Sequence, residues 1–381
     1  MISADAIVVG GGPAGSTFAA RLHAAGLDVV VMDRAEFPRD KVCAGWITPG
    51  VVEALALDLE DYGRSHVLQP ITRFRTGIIG GPAIDTDYGR PVSYGILRCE
   101  FDTYLLRRSG ARLLAGSAVH SIERVADGWT VNGAVRAPLL VGAAGHFCPV
   151  ARHLGARRAP DPVVVAQEIE FRLRPDQEDA LAVRGDSPEL YFCADLKGYG
   201  WCFRKGDRLN VGLGRLDKDA LASHVSSFRS FLLREHRVPE DLPSRWKGHA
   251  YLLYEERRPR LVDDGALLVG DAAGLAYPAS GEGIRPAVES GLMAADTVIA
   301  ARGRYGRDDL APYGRALRAR FGRRRVVPAP KVPAGLAAAA GRQLFRMGWF
   351  TRRVVLDRWF LHADQPALMR LDGPATDRGA A

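Results

Sequence analysis

The sequence lacks the features that mark membrane-spanning, disulfide-rich and metal-binding proteins. No uninterrupted apolar run approaches the roughly 18 residues that a transmembrane helix needs. The first residues show neither the basic start nor the cleavage site of a signal peptide. The five cysteines are odd in number, scattered and without a Cys-x-x-Cys pair, which argues against a disulfide framework, a zinc site and an iron–sulfur cluster. We therefore expect a cytoplasmic protein that holds no metal.

The sequence also has only a small excess of positive over negative charge. The formal net charge is +8 over 381 residues, with 47% hydrophobic and 25% charged residues, which are ordinary globular values. This excess suits an anionic ligand, but it is too diffuse to predict nucleic-acid binding. The length allows about two domains with an ample core.

The strongest pattern lies in the first thirty-odd residues. A short apolar strand runs into a Gly-x-Gly-x-x-Gly turn, a small-residue helix and a second strand that ends on an acid. The glycines permit a tight turn, a close approach of a pyrophosphate and close helix packing, and the acid can bind a ribose hydroxyl. The pattern predicts a Rossmann-type dinucleotide site formed by Gly10, Gly12, Pro13, Ala14, Gly15, Asp33 and Arg34.

A second strand–turn–helix signature follows much later in the chain. The strand leads into a Gly-Asp-Ala-Ala-Gly turn, a Pro-x-x-Gly-Glu-Gly-Ile stretch and a long helix from Arg285 to Arg302. An acid at a strand end can bind a ribityl hydroxyl, and a helix N-terminus can stabilise negative charge on a reduced flavin. We predict further cofactor contacts at Gly270, Asp271, Pro278, Gly281, Glu282, Gly283 and Ile284.

Taken together, these motifs resemble the FAD-binding set of the flavoprotein hydroxylase (p-hydroxybenzoate hydroxylase-like) superfamily. Within it, the chain is similar to the geranylgeranyl reductase family. That likeness rests on the Lys41-Val42-Cys43-Ala44-Gly45 loop, on the stretch 199–207 with its Tyr-x-Trp-x-Phe, and on the Asn-Val-Gly-x-Gly strand at 210–214. It covers roughly Ala6 to Ala301.

The resemblance implies an α/β fold with a Rossmann-type FAD-binding domain, an inserted antiparallel β-sheet substrate domain and C-terminal helices. We expect the FAD-binding domain at 1–71, 95–158 and 255–305, and the substrate domain at 72–94 and 159–254. A helical region would follow at 306–372, and 373–381 would be a disordered tail.

The resemblance also implies roles for single residues. Further cofactor contacts are expected at Lys41, Cys43, Ala44, Arg98, Val119 and Gly145. Substrate contacts are expected at Trp201, Phe203 and Arg204, and catalytic roles at Cys43 and Trp201. Each has a simpler alternative: Cys43 could protonate the substrate or only pack, Lys41 could be a solvated loop charge, and Trp201 could belong to the core.

The function that follows is reduction of carbon–carbon double bonds of an isoprenoid or other lipophilic substrate by hydride from N5 of reduced FAD. NADPH, NADH or a protein electron donor would reduce the flavin; Ala144 replaces an acid usual in the family, which leaves the donor open. One alternative is an FAD-dependent monooxygenase acting through a C4a-peroxide, and another is a non-catalytic electron carrier. Arg204 replaces a family proline and would favour an acidic group on the substrate.

Partners other than the substrate are only partly predictable. No nucleic acid is expected, and the sequence does not determine the oligomeric state. A basic helix is followed by scattered large apolar residues, a combination that leaves peripheral membrane contact open beside simple packing. The basic residues are Arg315, Arg318, Arg320, Arg323, Arg324 and Arg325.

Overall fold

The computed structural model describes residues 1–156, 163–217, 220–254, 260–322 and 334–368, without the side chains of 334–338. The predicted tail at 373–381 and the arginines at 323–325 lie outside these residues. Residues 327–331, where Pro328 and Pro330 predict a break in the C-terminal helical region, also lie outside them. The predicted domain limits near 158 and 255 fall on residues outside the described ranges. Those limits therefore stay a prediction.

Strands and helices are numbered here in chain order. The strands are β1 Ile2–Ser3, β2 Ala6–Val9, β3 Val29–Met32, β4 Trp46–Ile47, β5 Leu68–Ile71, β6 Arg73–Ile78, β7 Ala83–Asp87, β8 Ser93–Ile96, β9 Arg112–Leu114, β10 Ile122–Val125, β11 Gly128–Val131, β12 Val135–Ala137, β13 Leu139–Gly142, β14 Val163–Arg172, β15 Glu189–Phe192, β16 Gly198–Lys205, β17 Arg208–Arg215, β18 Lys247–Leu252, β19 Val262–Asp263 and β20 Ala266–Leu268. The α-helices are α1 Pro13–Ala24, α2 Pro49–Ala54, α3 Leu59–Gly63, α4 Arg98–Arg108, α5 Pro149–His153, α6 Pro175–Ala180, α7 Leu221–Arg234, α8 Ile284–Ala301, α9 Arg307–Phe321, α10 Ala334–Leu344 and α11 Gly348–Phe350. A 3₁₀ turn spans Gly270–Ala273 and a π-helical segment spans Thr351–Phe360.

A six-stranded sheet of order β19-β20-β13-β2-β3-β9 forms the first core. Its strands are parallel except for the edge strand β19, and Val8 of β2 pairs with Val31 on one side and Val141 on the other. All four residues of β2, β3 and β13 are buried, as expected for parallel strands covered on both faces. The predicted Rossmann-type domain is confirmed.

A seven-stranded sheet of order β18-β14-β17-β16-β15-β6-β7 forms the second core. Its pairs are antiparallel except β6 with β15, which run parallel. The stretch from Leu190 to Arg204, whose alternation of apolar residues predicts a single strand, forms two strands because a turn with Leu196 at φ +58° separates β15 from β16. The expectation of an inserted, mostly antiparallel sheet is confirmed.

Strand alternation gives this sheet two different faces. The outer face carries Cys202 and Val211, which pack in one cluster with Phe228 of α7. The inner face carries Trp201 and Phe203, which share a second cluster with residues of β4, β6 and the C-terminal segment. The inner face therefore turns toward the rest of the molecule.

Two small sheets complete the fold. One has the order β4-β8-β5 and the other β1-β12-β11-β10. The apolar pattern from Val119 to Arg124 predicts a strand, and the strand begins at Ile122. Thr48 precedes Pro49, as an N-cap residue would, and it stands at the N-cap of α2 without a side-chain capping bond. No disulfide joins any of the five cysteines. Within the described ranges no helix is both long and apolar enough to traverse a bilayer.

Helix α8 is tied to the C-terminal segment by a buried ionic cluster. The Glu289 carboxylate accepts from Arg285 (3.0 Å) and Arg320 (2.6 Å), and Glu289 and Arg285 are 0% and 1% exposed. Arg285 also donates to the backbone carbonyl oxygens of Gln365 (2.7 Å) and Pro366 (3.0 Å). One carboxylate thus compensates two arginines and, through them, fixes the chain at 365–366.

Replacing that carboxylate should be costly. We expect Glu289→Gln to lower the free energy of unfolding by about 3–5 kcal/mol, because it leaves buried arginine charge uncompensated. Urea denaturation measures the loss. The matched control is Asp309→Asn, which breaks the exposed pair with Arg304 (3.6 Å) and should cost about 0–1 kcal/mol. Equal losses for the two variants would contradict the assignment.

Candidate functional site

The first glycine turn is closed against the sheet so tightly that side chains do not fit. Gly10 has φ +114°, and a Cβ there would lie 2.5 Å from the carbonyl oxygen of Ala143 at the end of β13. A Cβ at Gly15 would overlap the carbonyl oxygen of Gly10. The N-terminus of α1, whose first N–H groups have no partner within the helix, is therefore held at the carboxyl edge of the parallel strands.

Asp33, the acid predicted to bind ribose, stands directly after β3. It is 9% exposed, and its two carboxylate oxygens accept from the backbone N–H groups of Gly11 (2.8 Å) and Ala35 (2.9 Å). The carboxylate therefore also braces the glycine turn. A carboxylate at the end of the second strand, beside the turn, is the arrangement that the dinucleotide fingerprint requires.

Arg39 is a cation at this turn that the sequence analysis did not single out. Its guanidinium lies 3.9 Å from Asp33 and 3.2 Å from the fully buried Asp102. A Cβ at Gly12 would have Arg39 Nη2 as its neighbour, at 3.5 Å. Arg39 is thus placed where a phosphate could approach Gly12, and its position in the loop before Cys43 was the available signal.

Arg98 lies at the start of α4, within the same group of charges. It forms a two-bond ion pair with Asp102, with both distances 2.8 Å. Asp102 and the neighbouring Cys43 raise the pKa of Arg98 despite its burial, so it stays cationic. The predicted cofactor residues Arg98 and Cys43 are therefore brought together.

The second glycine motif packs directly on the first. Gly270 has φ +59°, and a Cβ there would come within 2.9 Å of the Cβ of Ala14. Its N–H donates to Ser290 Oγ of α8 at 2.9 Å. A Cβ at Gly291 would lie 2.7 Å from the carbonyl oxygen of Ala14. Residues some 250 positions apart are thus in van der Waals contact, as a shared cofactor site requires.

The loop before α8 contacts the inner face of the seven-stranded sheet. Tyr199 of β16 donates its hydroxyl to the carbonyl oxygen of Ser280 at 2.5 Å. The Tyr251 hydroxyl of β18 occupies the space that a Cβ at Gly281 would need. Asp271 Oδ1 would lie 3.1 Å from a Cβ at Gly283, at the N-terminus of α8. The predicted ribityl and ring contacts therefore lie between the two large sheets.

The Cys43 loop is bound to the same face by its backbone. The N–H of Cys43 donates to Glu168 Oε1 (2.7 Å), and its carbonyl oxygen accepts from Asn210 Nδ2 (3.3 Å). Lys205 Nζ donates to the carbonyl oxygen of Ala44 (2.9 Å). Three polar side chains of the sheet therefore set the position of this loop, and none of them was predicted.

Glu168 is a buried acid in this group. Burial raises its pKa to about 7, and the nearby Glu170 adds to the increase, while the N–H of Cys43 and the Lys205 and Lys41 ammonium groups oppose it. Its side chain is 5% exposed. Near neutral pH, both protonation states of Glu168 are populated.

Lys41 lies on the adjoining part of the loop and contacts His249 of β18. Its Nζ is 2.8 Å from the nearer ring nitrogen, Nε2. Burial lowers the pKa of Lys41, although the Asp271 carboxylate opposes the decrease. Burial, together with Lys41 and Arg98, lowers the pKa of His249 to about 3, so this imidazole is neutral at pH 7 and accepts from Lys41.

The three predicted substrate residues separate into two groups. Trp201 donates from Nε1 to Asn210 Oδ1 (2.6 Å), and Phe203 packs edge-on against Trp46 with ring centroids 6.1 Å apart. Arg204 lies on the opposite face and pairs with Glu178 of α6 at 2.5 Å. Its position does not bring it to the other two, and its contact with substrate stays a prediction without structural support.

The remaining predicted residues lie at the margins of this site. Arg34 and Pro278 are exposed, and Val119 is half-buried against the Rossmann core. Gly145 follows β13 with φ +72°. Their roles as cofactor contacts stay predictions.

The C-terminal segment lies over the inner face of the sheet. Phe360 packs on Trp46 with ring centroids 5.7 Å apart, and His362 stacks on Tyr277 at 3.8 Å. His362 Nε2 also lies 3.3 Å from Glu282 of the loop before α8. The segment that Arg285 anchors therefore covers the aromatic side of the site.

Comparison with known proteins agrees with this geometry. The NAD(P)-binding Rossmann-like domain family matches residues 8–45. A menaquinone reductase of Mycobacterium tuberculosis is 33% identical over 317 residues, which cover 77% of this chain and 76% of that protein. The chain belongs to the geranylgeranyl reductase family. It is accordingly an FAD-dependent oxidoreductase, as its motifs predicted.

Other members and relatives extend the comparison. A digeranylgeranylglycerophospholipid reductase of Methanocaldococcus jannaschii is 26% identical over 314 residues, covering 77% of this chain and 76% of its own length. A geranylgeranyl bacteriochlorophyll reductase-like protein from Thermoplasma acidophilum superposes with a TM-score of 0.71 at 21% identity, over 91% of this chain and 88% of that one. The halogenase PltM superposes with a TM-score of 0.66 at 20% identity, over 82% of this chain and 73% of that one, which shows a shared fold.

The residues of this geranylgeranyl reductase family member fit FAD. The N-terminus of α1 and Arg39 offer N–H groups and positive charge to a pyrophosphate, and Asp33 offers a carboxylate to a ribose. Gly12 leaves open space for close approach, since among the described residues only Arg39 lies within 4 Å of a Cβ built there. Asp271 lies in the turn Gly270–Ala273, and its carboxylate is close to the N-terminus of α8, where a ribityl chain and flavin ring would lie.

The tight packing of the glycine turn predicts how one added methyl group at Gly15 affects flavin binding. Gly15→Ala should yield protein that folds with little or no bound flavin, because its Cβ displaces the Gly10 carbonyl and opens the turn. Flavin absorbance per polypeptide, measured before and after incubation with excess FAD, tests this. Gly348→Ala, where a Cβ would meet no atom within 4 Å in the part of the chain that the structure describes, should retain full occupancy. Normal flavin content in Gly15→Ala would contradict this role of the turn.

Proposed function

We propose that this protein reduces carbon–carbon double bonds in the isoprenoid chain of a lipophilic substrate, and that a prenylated quinone is the class to test first. The observation that carries the proposal is the aromatic inner face, with Trp46, Trp201 and Phe203, set directly against the Cys43 loop at the flavin motifs. Hydrocarbon chains bind to such apolar surfaces through burial alone. The name of the 33%-identical menaquinone reductase supports the choice of quinone.

Bound FAD in its reduced form would supply a hydride from N5. The chain's own residues bind and orient it: Asp33 and Arg39 at the nucleotide end, and Asp271 near the N-terminus of α8. The Cys43 loop and the segment around Phe360 exclude water from the reacting end, which strengthens every electrostatic interaction there. NADPH or NADH is proposed as the reductant, with a protein donor as the alternative, since Ala144 stands where the family usually has an acid.

An anaerobic stopped-flow experiment tests the function. Holoenzyme reduced with NADPH, NADH or dithionite should be reoxidised by menaquinone or by geranylgeranyl lipids. After any quinol has been reoxidised by air, mass spectrometry should find a product whose isoprenoid chain is heavier by two hydrogens. Reduction by dithionite alone would indicate a protein donor. Fast reoxidation by oxygen, with hydroxylated or epoxidised product and no saturated product, would overturn the reductase assignment in favour of a monooxygenase.

A second part of the proposal concerns the surface by which a lipophilic substrate arrives. The C-terminal region contains several large apolar residues. Four of them are buried in the core, namely Phe345, Val355, Leu356 and Phe360. Three others are exposed on α10, α11 and the turn that joins them, namely Leu344, Met347 and Trp349. Exposed arginines surround them, namely Arg342, Arg346, Arg352 and Arg353. We propose that this C-terminal surface rests on anionic lipid.

A cavity beside that surface points toward the aromatic face. Its volume is about 330 Å³, and Ile78, Pro82, Ala194 and Phe345 contribute to its lining. Phe345 packs on Phe192 of β15 with ring centroids 4.4 Å apart and the rings tilted. Both rings belong to the cluster that contains Trp201. Arg342, Gln343 and Arg346 also line the cavity, so an isoprenoid chain leaving a membrane would meet both basic and apolar parts of its wall.

Vesicle co-sedimentation tests the surface. The protein should bind vesicles containing about 30% phosphatidylserine more strongly than pure phosphatidylcholine vesicles, and salt should weaken the binding because the arginine term is electrostatic. The double variant Met347→Ala, Trp349→Ala should lose most of it. Leu216→Ala removes a side chain of similar exposure (51%) elsewhere and should bind normally. Equal binding by both variants would contradict the proposed surface.

A further inference from the structure

We propose that Glu168 is the acid of the reaction: its carboxyl group gives a proton to the alkene carbon that does not receive hydride. The inference rests on the proposed function, because a saturated C–C bond needs one proton for every hydride. No part of the sequence resemblance assigned a role to Glu168. Its position on the inner face of β14, against the Cys43 loop, carries the inference.

The two carboxyl oxygens of Glu168 have different surroundings. Oε1 accepts from the N–H of Cys43 at 2.7 Å. Oε2 is buried and has no hydrogen-bond partner among the residues that the structure describes. Burying such an oxygen without a partner costs much more free energy when the carboxyl group is ionised than when the oxygen carries a proton. The unpartnered oxygen is therefore where the proton would reside.

Glu168 also lies beside the side chain most directly implicated in substrate contact. It pairs across the strands with Gly212 of β17, and Gly212 pairs in turn with Trp201 of β16. A Cβ at Gly212 would overlap the Trp201 ring and come within 2.8 Å of the Glu168 Cβ. The absence of a side chain at Gly212 thus lets the indole lie next to the carboxyl group. Trp201, Glu168 and Cys43 meet at one place.

The neighbouring acid on the same face has a different role. Glu170 Oε2 accepts from Lys205 Nζ at 2.6 Å and from Asn210 Nδ2 at 3.0 Å. Glu168 has neither bond. Two carboxyl groups two residues apart on the same face are thus given different surroundings, and Glu168 is the one with an oxygen that has no partner among the described residues.

The other charged groups near Glu168 are already paired. Lys205 of β16 is held by Glu170, and Lys41 of the loop contacts His249 of β18 at 2.8 Å. Lys247 of β18 lies directly opposite Glu168 of β14. It is exposed and pairs with Asp40. The ammonium groups of Lys41 and Lys205 are close enough to favour the carboxylate once it forms.

The chemical step is balanced with these groups alone. The hydride brings one hydrogen and two electrons to one alkene carbon. The O–H bond of Glu168 breaks, a C–H bond forms at the other carbon, and the electrons of the O–H bond remain on the carboxylate. The N–H of Cys43 and the nearby ammonium groups stabilise that charge until the product leaves and a proton returns from solvent. Cys43 contributes to this step through its backbone N–H.

The first test follows the protonation itself, without turnover. Because the pKa of Glu168 is raised in the folded state, its contribution to stability is complete below pH 4.5 and is lost as the pH rises through about 7. The Tm of wild-type holoenzyme should therefore fall from pH 5.5 to 8 by several degrees more than that of Glu168→Gln. Glu123→Gln, an exposed control, should follow the wild type. Parallel Tm curves for wild type and Glu168→Gln would overturn the proposal.

The second test is single-turnover reduction of substrate by reduced enzyme. Wild-type rates should fall as the pH rises through 7, and Glu168→Gln should be at least about 100-fold slower with no such pH dependence. Flavin content and the rate of flavin reduction should be unchanged. If Glu168→Gln does not fold, Glu168→Asp keeps the acid with a shorter reach; a wild-type rate and pH midpoint in that variant would overturn the proposal.

The two tests separate this proposal from the proposed function. Wild-type enzyme that yields no saturated product refutes the function, while the Tm difference still reports on Glu168. Wild-type enzyme that reduces the substrate with the same rate and pH profile as Glu168→Gln refutes the role of Glu168 and leaves the function standing.

Discussion

The contact between Ala14 and Gly270 is the constraint on which the rest of the site depends. Helix α1 and the turn before α8 come from opposite ends of the sequence, yet a single Cβ between them is already too much. Their approach fixes both helix N-termini at one edge of the parallel sheet, where the dipole of α1 would favour a pyrophosphate and that of α8 would favour negative charge on a reduced flavin. Every other site element, including the Cys43 loop and the loop at Ser280, is positioned relative to this pair.

The second organising feature is a polar layer beneath an apolar surface. Glu170, Lys205 and Asn210 satisfy one another and also hold the backbone of the Cys43 loop. Trp201 joins through its Nε1 while its ring stays among aromatic neighbours. A loop fixed by buried hydrogen bonds has little freedom to shift, because each broken bond leaves an unsatisfied polar group. The apolar face can therefore be wide and still have a defined boundary at the flavin end.

Sequence alone predicted the parts of this site whose chemistry is local. Gly10, Gly15, Asp33 and Gly270 do their work within a few residues of a strand end, so spacing reveals them. Glu168 and His249 depend on the register of β14 and β18, which no single-strand pattern contains. A partial signal existed, since glutamates at 168 and 170 continue the face of β14 on which Val164 and Ala166 are buried. For Arg204 the alternation of β16 already places it opposite Trp201 and Phe203.

Chain order has its own consequence for the covered site. Both nucleotide motifs, the Cys43 loop and the whole seven-stranded sheet are complete by Ala301, whereas Phe360 and His362, which lie over them, come some sixty residues later. During synthesis, the residues that form the cofactor site therefore leave the ribosome before the residues that cover it. The order of translation thus matches the order in which an open site would have to be formed, filled and covered.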